Sequence, residues 1–260
     1  MVRASRAAGH HRHCGWHVTV TCRKASAAAL RVFAVLHFAV GLQGAYLLEH
    51  PHVGPMQSQV FRELGQWKFL TFWNMVLQTV YFTICVINDL IGTNDSHPRK
   101  TPFIRSLRDF IQASLAFPLS TFVCLTFWSL YAIDRELVFP KAADTFFPWW
   151  LNHVMHSNIL VFSLLETVAT YHKYPSRSKC LLGLAIFTIV YLVWVHIIYY
   201  LSGEWVYPVL SVLNVAQRIV FFLMLMLLFF GLYFLGEVLN NKVWESEVAE
   251  GQKTRKMKKK

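Results

Sequence analysis

The amino-acid sequence predicts an all-α, multi-pass membrane bundle with about six transmembrane helices. Of its 260 residues, 55% are hydrophobic and only 15% are charged, and the mean hydropathy is +0.39. A water-soluble domain with so little charge would lack the polar surface needed to cover it. Apolar stretches long enough to cross a bilayer, at about 20 residues per crossing, recur along the chain. These observations predict one membrane domain built from helices.

The predicted spans are separated by polar loops and account for most of the chain. Their limits are 32–48, 69–91, 110–133, 146–169, 181–201 and 209–235. Helices are expected because, inside a bilayer, every backbone polar group must be hydrogen-bonded within the protein. We divide the chain into a basic, disordered N-terminal tail over 1–31, a six-helix membrane domain over 32–235 and a charged C-terminal tail over 236–260.

Basic residues alternate from loop to loop, which predicts the orientation in the membrane. The segments 92–108 and 171–179 are rich in Lys and Arg, as are both chain ends. The positive-inside rule therefore places these loops and both termini in the cytosol. Topology also explains the net charge of +11, so we predict no nucleic-acid partner. The final KMKKK fits an endoplasmic reticulum retrieval signal or a contact with anionic lipid, which leaves the plasma membrane and the endoplasmic reticulum as alternatives.

Patterns for metal binding and for soluble hydrolases are missing from the sequence. The five Cys residues are scattered without a CxxC pair, which favours neither a disulfide framework nor a zinc site. The His cluster over 10–17 resembles a metal-binding tract only in composition. Because the chain lacks GxSxG, the nucleophile elbow of soluble hydrolases is excluded. We expect no metal and no cofactor.

The fourth predicted span carries a polar stripe inside an apolar run. Asn152, His156 and Ser163 fall on one helical face, which Glu166 or Thr167 continues. Polar groups facing lipid are costly, so the stripe is expected to face protein or a wet cavity. A seam of hydrogen bonds between helices and a functional site are the two interpretations.

A second polar stripe lies on the second predicted span. Thr71, Asn74 and Gln78 share one face of that helix, and Thr71 is predicted to lie at a depth similar to that of His156 in the exoplasmic half. A hydroxyl and an imidazole are the minimum set for nucleophilic acyl transfer, in which the imidazole accepts the proton of the attacking hydroxyl. Spacing alone does not distinguish such a pair from groups that join two helices.

Three further residues are candidates for contact with a substrate or a catalytic group: Asn74 of the second stripe, Asn152 and Arg218. Asn152 lies one turn before His156 and is a candidate for orienting it. Arg218 falls within the last predicted span, where it needs an anionic partner such as a lipid carboxylate, unless that span begins later and the side chain reaches the surface. Acidic residues near the predicted cytosolic ends are expected to be solvated or to cap helices: Asp89, Asp109 and Glu166.

A series of motifs resembles the family of androgen-induced membrane hydrolases. The motifs occur in order between residues 60 and 245. They include WKFLTF at 67–72, FTICVINDL at 82–90, FWSLYAIDRELVFPK at 127–141, PWWLNHVMH at 148–156 and LGEVLNN at 235–241. The N-terminal extension and the C-terminal tail depart from the family pattern.

The resemblance implies a threonine hydrolase of the membrane that cleaves fatty acid esters of hydroxy fatty acids. By this resemblance, the nucleophile corresponds to Thr71 in WKFLT, and the base corresponds to His156, the second His of NHxMH. A lipid substrate would reach such a site from within the bilayer. A membrane scaffold, a transport protein or a regulator of cell-surface tissue factor pathway inhibitor is the alternative, the last implied only by the resemblance.

Overall fold

The computed structural model describes residues 4–48 and 58–257, except for the side chains of 4–24 and 254–256. The described part of the chain contains helices and loops and no strand. In chain order the α-helices are α1 (Ala4–Leu47), α2 (Gln59–Glu63), α3 (Leu70–Ile91), α4 (Phe103–Ile111), α5 (Phe117–Ile133), α6 (Trp149–His153), α7 (Ile159–Ala169), α8 (Arg177–Ser202), α9 (Pro208–Val212) and α10 (Val215–Met257). Short 3₁₀ turns form at Gly65–Lys68, Arg135–Leu137 and Lys141–Thr145.

Two continuous helical stretches contain a segment of π-helix. Gln112–Ala116 joins α4 to α5, and Val154–Asn158 joins α6 to α7. Pro118 lies two residues after the first π segment, in the first turn of α5. Because proline lacks a backbone N–H, it interrupts the regular hydrogen-bond ladder at this position.

Five helices of the described chain are long and apolar enough to cross a membrane, which confirms an all-α multi-pass membrane bundle. They are Ala25–Leu47, Leu70–Ile91, Phe103–Ile133, Arg177–Ser202 and Val215–Lys253. The fourth predicted span, 146–169, is helical from Trp149 to Ala169, but its π segment divides it into pieces that are each shorter than a crossing. The cytosolic orientation of the termini stays a prediction.

Several helix ends differ from the limits predicted by hydropathy. Helix α1 begins inside the predicted tail 1–31, and α10 continues well beyond residue 235, where Trp244 is buried against the bundle. The last span begins later than residue 209, because extended backbone at Leu213 separates α9 from α10. Hydropathy predicts only the apolar part of a helix. The helix itself continues into polar sequence where other parts of the protein pack against it.

The acidic residues near the predicted cytosolic ends were expected to be solvated or to cap helices, whereas the structure holds them in ion pairs that are buried or half-buried. Glu166 is fully buried and accepts hydrogen bonds from Arg31 at 3.0 and 2.7 Å. Arg31 also pairs with Asp89. Asp109, only 3% exposed, pairs with Arg108 at 2.6 Å. Arg31 is distant in sequence from both Asp89 and Glu166, so local hydropathy carries no signal for these two pairs.

Helix α3 lies at the centre of the bundle and positions the candidate site. It packs against α1, α5 and both π segments. Close approach of α1 depends on Gly41, where a Cβ atom would lie 2.6 Å from Val154 Cγ1 and 3.0 Å from Met75 Sδ. The glycine therefore lets α1 support both the helix that carries Thr71 and the helical stretch that carries His156.

Candidate active site

The structure brings Thr71 and His156 together from two different helices. Thr71 is the second residue of α3, and His156 is in the π segment Val154–Asn158. Thr71 Oγ1 lies 3.3 Å from His156 Nε2, and both residues are buried, with exposures of 9% and 7%. A hydroxyl and an imidazole separated by 85 residues thus lie within hydrogen-bond reach of each other.

A backbone contact decides which nitrogen of the imidazole faces Thr71 as an acceptor. His156 Nδ1 lies 3.0 Å from the backbone oxygen of Asn152. A carbonyl oxygen only accepts hydrogen bonds, so Nδ1 carries the hydrogen and donates it. Nε2 of the neutral ring is then free to accept the Thr71 hydroxyl hydrogen. This is the tautomer that a general base requires.

The surroundings of His156 hold its ring in one orientation. Phe127 of α5 stacks on the imidazole, with ring centroids 3.5 Å apart and planes inclined by 16°. The π-helical turn widens the helix at this residue, and such turns occur frequently at functional sites. Neither feature is visible in the sequence, because a π segment has no periodicity of its own and Phe127 lies in another predicted span.

His153, the neighbouring histidine of the same motif, has different contacts. It is half-buried, and its Nδ1 lies 3.0 Å from Ser157 Oγ. Its ring lies against Trp149 and Trp128, with centroid distances of 4.2 and 5.5 Å. His156 is therefore the histidine of this motif that the structure brings to Thr71.

Thr71 lines a cavity of about 600 Å³ that lies between α5, α8 and α10. The wall is mostly apolar and aromatic, as in Phe122 and Phe229, and its polar members include Tyr191. Leu223 lines the cavity and is 50% exposed, so this part of the wall is not enclosed by protein. The cavity therefore reaches the face of the protein that lipid would cover, and its size and lining are typical of small-molecule sites.

Two tyrosines clamp the backbone that immediately precedes Thr71. The backbone N–H of Leu70 donates to Tyr207 OH at 3.0 Å, and Tyr191 OH donates to the Lys68 carbonyl at 3.0 Å. The two phenol oxygens lie 2.9 Å apart. Because the Tyr191 hydroxyl donates its hydrogen bond to the Lys68 carbonyl, the Tyr207 hydroxyl is the donor in its bond to the Tyr191 oxygen. Burial raises the pKa of Tyr207, which keeps the phenol protonated. The sequence analysis did not identify this pair.

The two asparagine candidates are both buried, and the structure gives them different surroundings. Asn74 lies one turn after Thr71, and its Oδ1 accepts a hydrogen bond from Gln78 Nε2 at 3.1 Å. Asn74 Nδ2 has no partner among the described residues. Asn152 contacts His156 through its backbone carbonyl, whereas its side-chain Oδ1 has no partner in the described part of the chain.

Arg218 lies in the first turn of α10, away from the centre of the bundle. Its Nε donates to the Leu210 carbonyl at 2.7 Å, and its guanidinium lies 4.6 Å from the centre of the Trp205 ring. These contacts agree with the expectation that Arg218 reaches the surface if the last span begins late. None of its described contacts is with Thr71 or His156.

Metal ligation finds no support within the described residues, which contain no group of three or more His, Cys, Asp or Glu placed to hold a metal ion. The His cluster over 10–17 lies outside the side chains that the structure describes.

Comparison with known proteins places the chain in a family. The family model described as FAR-17a/AIG1-like protein matches residues 32–241. The chain is 42% identical to Androgen-induced gene 1 protein of Homo sapiens over 200 residues, which are 75% of this chain and 84% of that protein. It is 38% identical to Androgen-dependent TFPI-regulating protein of Mus musculus over 217 residues, which are 81% of this chain and 92% of that protein. No solved structure matches the chain. The chain belongs to the FAR-17a/AIG1-like family.

Proposed function

We propose that the protein is an integral membrane hydrolase of lipid esters, with Thr71 as nucleophile and His156 as general base. The observation that carries the proposal is the pairing of the Thr71 hydroxyl with His156 Nε2 while Nδ1 is held by a backbone carbonyl. The separation of 3.3 Å is longer than a tight O–H···N hydrogen bond, and catalytic contacts are often loose before the substrate binds.

In the first half of the reaction, Thr71 Oγ1 attacks the ester carbonyl carbon as His156 Nε2 takes the hydroxyl proton. The tetrahedral intermediate expels the alcohol oxygen of the hydroxy fatty acid, which receives that proton from His156. This step leaves an acyl ester on Thr71. Asn74 Nδ2, one turn from Thr71 and without a partner in the described chain, is our candidate for stabilising the negative oxygen.

The cavity beside Thr71 supports a lipid ester as the substrate. Its apolar wall fits hydrocarbon chains, and its contact with the outer surface of the bundle fits entry from the bilayer. We propose that fatty acid esters of hydroxy fatty acids are the substrates, as the resemblance of WKFLT and NHxMH implies. Arg218 remains the candidate for the free carboxylate, because it is bonded to Leu210, a residue of the cavity wall.

A non-enzymatic role is the second candidate function. Relatives of this chain carry the name Androgen-dependent TFPI-regulating protein, and the buried polar groups of α3 continue beyond the Thr71 level to Gln78 and Asn88. A scaffold, transport or regulatory protein would use such groups for helix contacts or for a pathway. These roles do not require a free Nε2 facing a hydroxyl.

Labelling with a fluorophosphonate probe in membranes tests the proposal. We expect the parent and Thr71→Ser to be labelled at residue 71, and Thr71→Ala to remain unlabelled. Thr83→Ala is the matched control, because Thr83 is exposed on the same helix and bonds only to the preceding turn. Equal labelling of the parent and Thr71→Ala would remove Thr71 as the nucleophile and favour the non-enzymatic candidate.

A further inference from the structure

Beneath the Thr71–His156 pair, four buried side chains form a group that we name the polar seam. Each is at most 1% exposed, and each has one polar atom without a hydrogen-bond partner among the described residues. The four atoms are Asn74 Nδ2, Gln78 Oε1, Gln112 Oε1 and Ser163 Oγ. Unpaired buried polar atoms are uncommon in folded proteins, and four of the ten in the described chain belong to this group, so they require an explanation.

Neighbouring hydrogen bonds establish which of these atoms are donors and which are acceptors. Gln78 Nε2 donates to the Ala116 carbonyl at 2.9 Å and to Asn74 Oδ1 at 3.1 Å. A carbonyl cannot donate, so the unpaired atoms must be the Gln78 oxygen and the Asn74 amide nitrogen. Thr167 uses its hydroxyl hydrogen on the Ser163 carbonyl and accepts from Gln112 Nε2, which leaves the Gln112 oxygen unpaired.

The seam begins at the catalytic pair and continues into the bundle. Asn74 and Gln78 lie three and seven residues after Thr71 on the same helix, and Ser163 lies seven residues after His156. Gln112 opens the π segment whose last residue, Ala116, accepts the Gln78 hydrogen bond. The seam is therefore anchored to both helices that carry the catalytic pair.

The chemistry of the unpaired atoms selects their ligand. The set contains an amide donor, two amide acceptors and a hydroxyl that does both. Buried water satisfies such mixed sets, making about three hydrogen bonds per molecule. An apolar ligand would leave every one of these atoms unpaired. No ionic side chain belongs to the seam, so it offers no charge to hold an ion.

We propose that the polar seam binds ordered water and supplies the water molecule that hydrolyses the acyl-Thr71 intermediate. The inference rests on the hydrolase function proposed above. An acyl chain attached to Thr71 would occupy the apolar cavity, which then excludes water from that side. Water must reach the ester carbonyl by another route, and the seam begins one turn from Thr71 on the buried side of α3.

The hydrolytic step balances with water as the only co-reactant. The water oxygen bonds to the acyl carbon while His156 Nε2 takes one water proton. The tetrahedral intermediate then breaks its bond to Thr71 Oγ1, which receives the proton from His156. The products are a free fatty acid and the restored Thr71 hydroxyl. Acylation of Thr71 uses no water, so the two half-reactions respond differently to the seam.

The test compares Ser163→Val and Gln78→Met with the parent protein and with Ser120→Ala. Ser163→Val replaces an unpaired hydroxyl with two methyl groups, and Gln78→Met removes the amide at similar size. Ser120 is a buried serine outside the seam that donates to the Phe117 carbonyl. Two rates are measured in membranes, namely fluorophosphonate labelling of Thr71 and steady-state hydrolysis of a lipid ester.

We expect the seam variants to label Thr71 at nearly the parental rate, while turnover falls by about tenfold or more and acyl-Thr71 accumulates in mass spectra. Ser120→Ala should retain both rates. Unchanged turnover in both seam variants would overturn the proposal, and so would an equal loss of labelling and turnover, which indicates a structural role. Failure of the parent to label at Thr71 would instead overturn the hydrolase function itself.

Discussion

His156 Nδ1 donates its hydrogen to the backbone carbonyl of Asn152 at 3.0 Å, and this bond leaves Nε2 facing Thr71 as an acceptor. The orientation of the candidate base is thus set by a main-chain atom rather than by the Asn152 side chain. A backbone acceptor has no titratable group, so the tautomer does not depend on the protonation of a neighbouring carboxylate.

Replacing His156 is expected to abolish lipid ester hydrolysis, and replacing His153 is not. His156→Ala should lower turnover by about 10²–10⁴-fold, the contribution typical of a general base. His153→Ala is the matched control, because His153 contacts Ser157 and tryptophans instead of Thr71. Hydrolysis in membranes, normalised to protein amount, checks both variants. If His153→Ala were inactive and His156→Ala remained active, His153 rather than His156 would be assigned as the base.

Tyr207→Phe is expected to slow acylation of Thr71. The substitution removes the oxygen that accepts from the Leu70 N–H and leaves the start of α3 less firmly held. We expect fluorophosphonate labelling of Thr71 to slow by about tenfold, since small misplacements of a reacting group are costly. Tyr200→Phe, on the exposed face of α8, is the control. If Tyr207→Phe labels as fast as Tyr200→Phe does, the clamp does not position Thr71.

Arg218→Ala is expected to weaken binding of lipid esters that carry a free carboxylate. A guanidinium forms charge-assisted hydrogen bonds to a carboxylate, and a methyl ester cannot accept them with equal strength. The KM for the free acid should rise about tenfold, while the KM for its methyl ester stays at the parental value. Arg177→Ala serves as the control, since Arg177 is exposed and pairs with Glu237. A similar KM change for both substrates would exclude a carboxylate contact.

Breaking the buried Arg31–Glu166 pair is expected to destabilise the fold strongly. Arg31→Met leaves the fully buried Glu166 without its principal cation, which costs about 3–5 kcal/mol. The double variant Arg31→Met, Glu166→Leu removes both charges and should recover much of that loss. Thermal unfolding in detergent measures the change. Arg177→Ala is the control, because it breaks an exposed ion pair with Glu237 that is worth about 0–1 kcal/mol. Equal stability of the parent and Arg31→Met would contradict this account of the cluster.

The sequence by itself determined the class of protein and the approximate place of its helices. Hydropathy predicted a span over 69–91, and the structure has a helix over Leu70–Ile91. Helical spacing put Thr71 and His156 on polar stripes at a similar depth, which made their meeting a testable hypothesis. These features depend on residues close together in the chain, so the pattern of neighbouring side chains is sufficient to predict them.

Tertiary structure alone decided which polar groups meet and which remain unpaired. The Arg31–Glu166 pair joins residues 135 positions apart, and the tyrosine clamp joins Leu70 to Tyr207 across 137. Contacts of this kind depend on how helices are rotated and packed against each other, and periodicity within one helix does not specify that rotation. The tautomer of His156 follows from a hydrogen bond between this residue of the π segment and the Asn152 carbonyl of α6. The local widening of a π segment changes which atoms face the neighbouring helix.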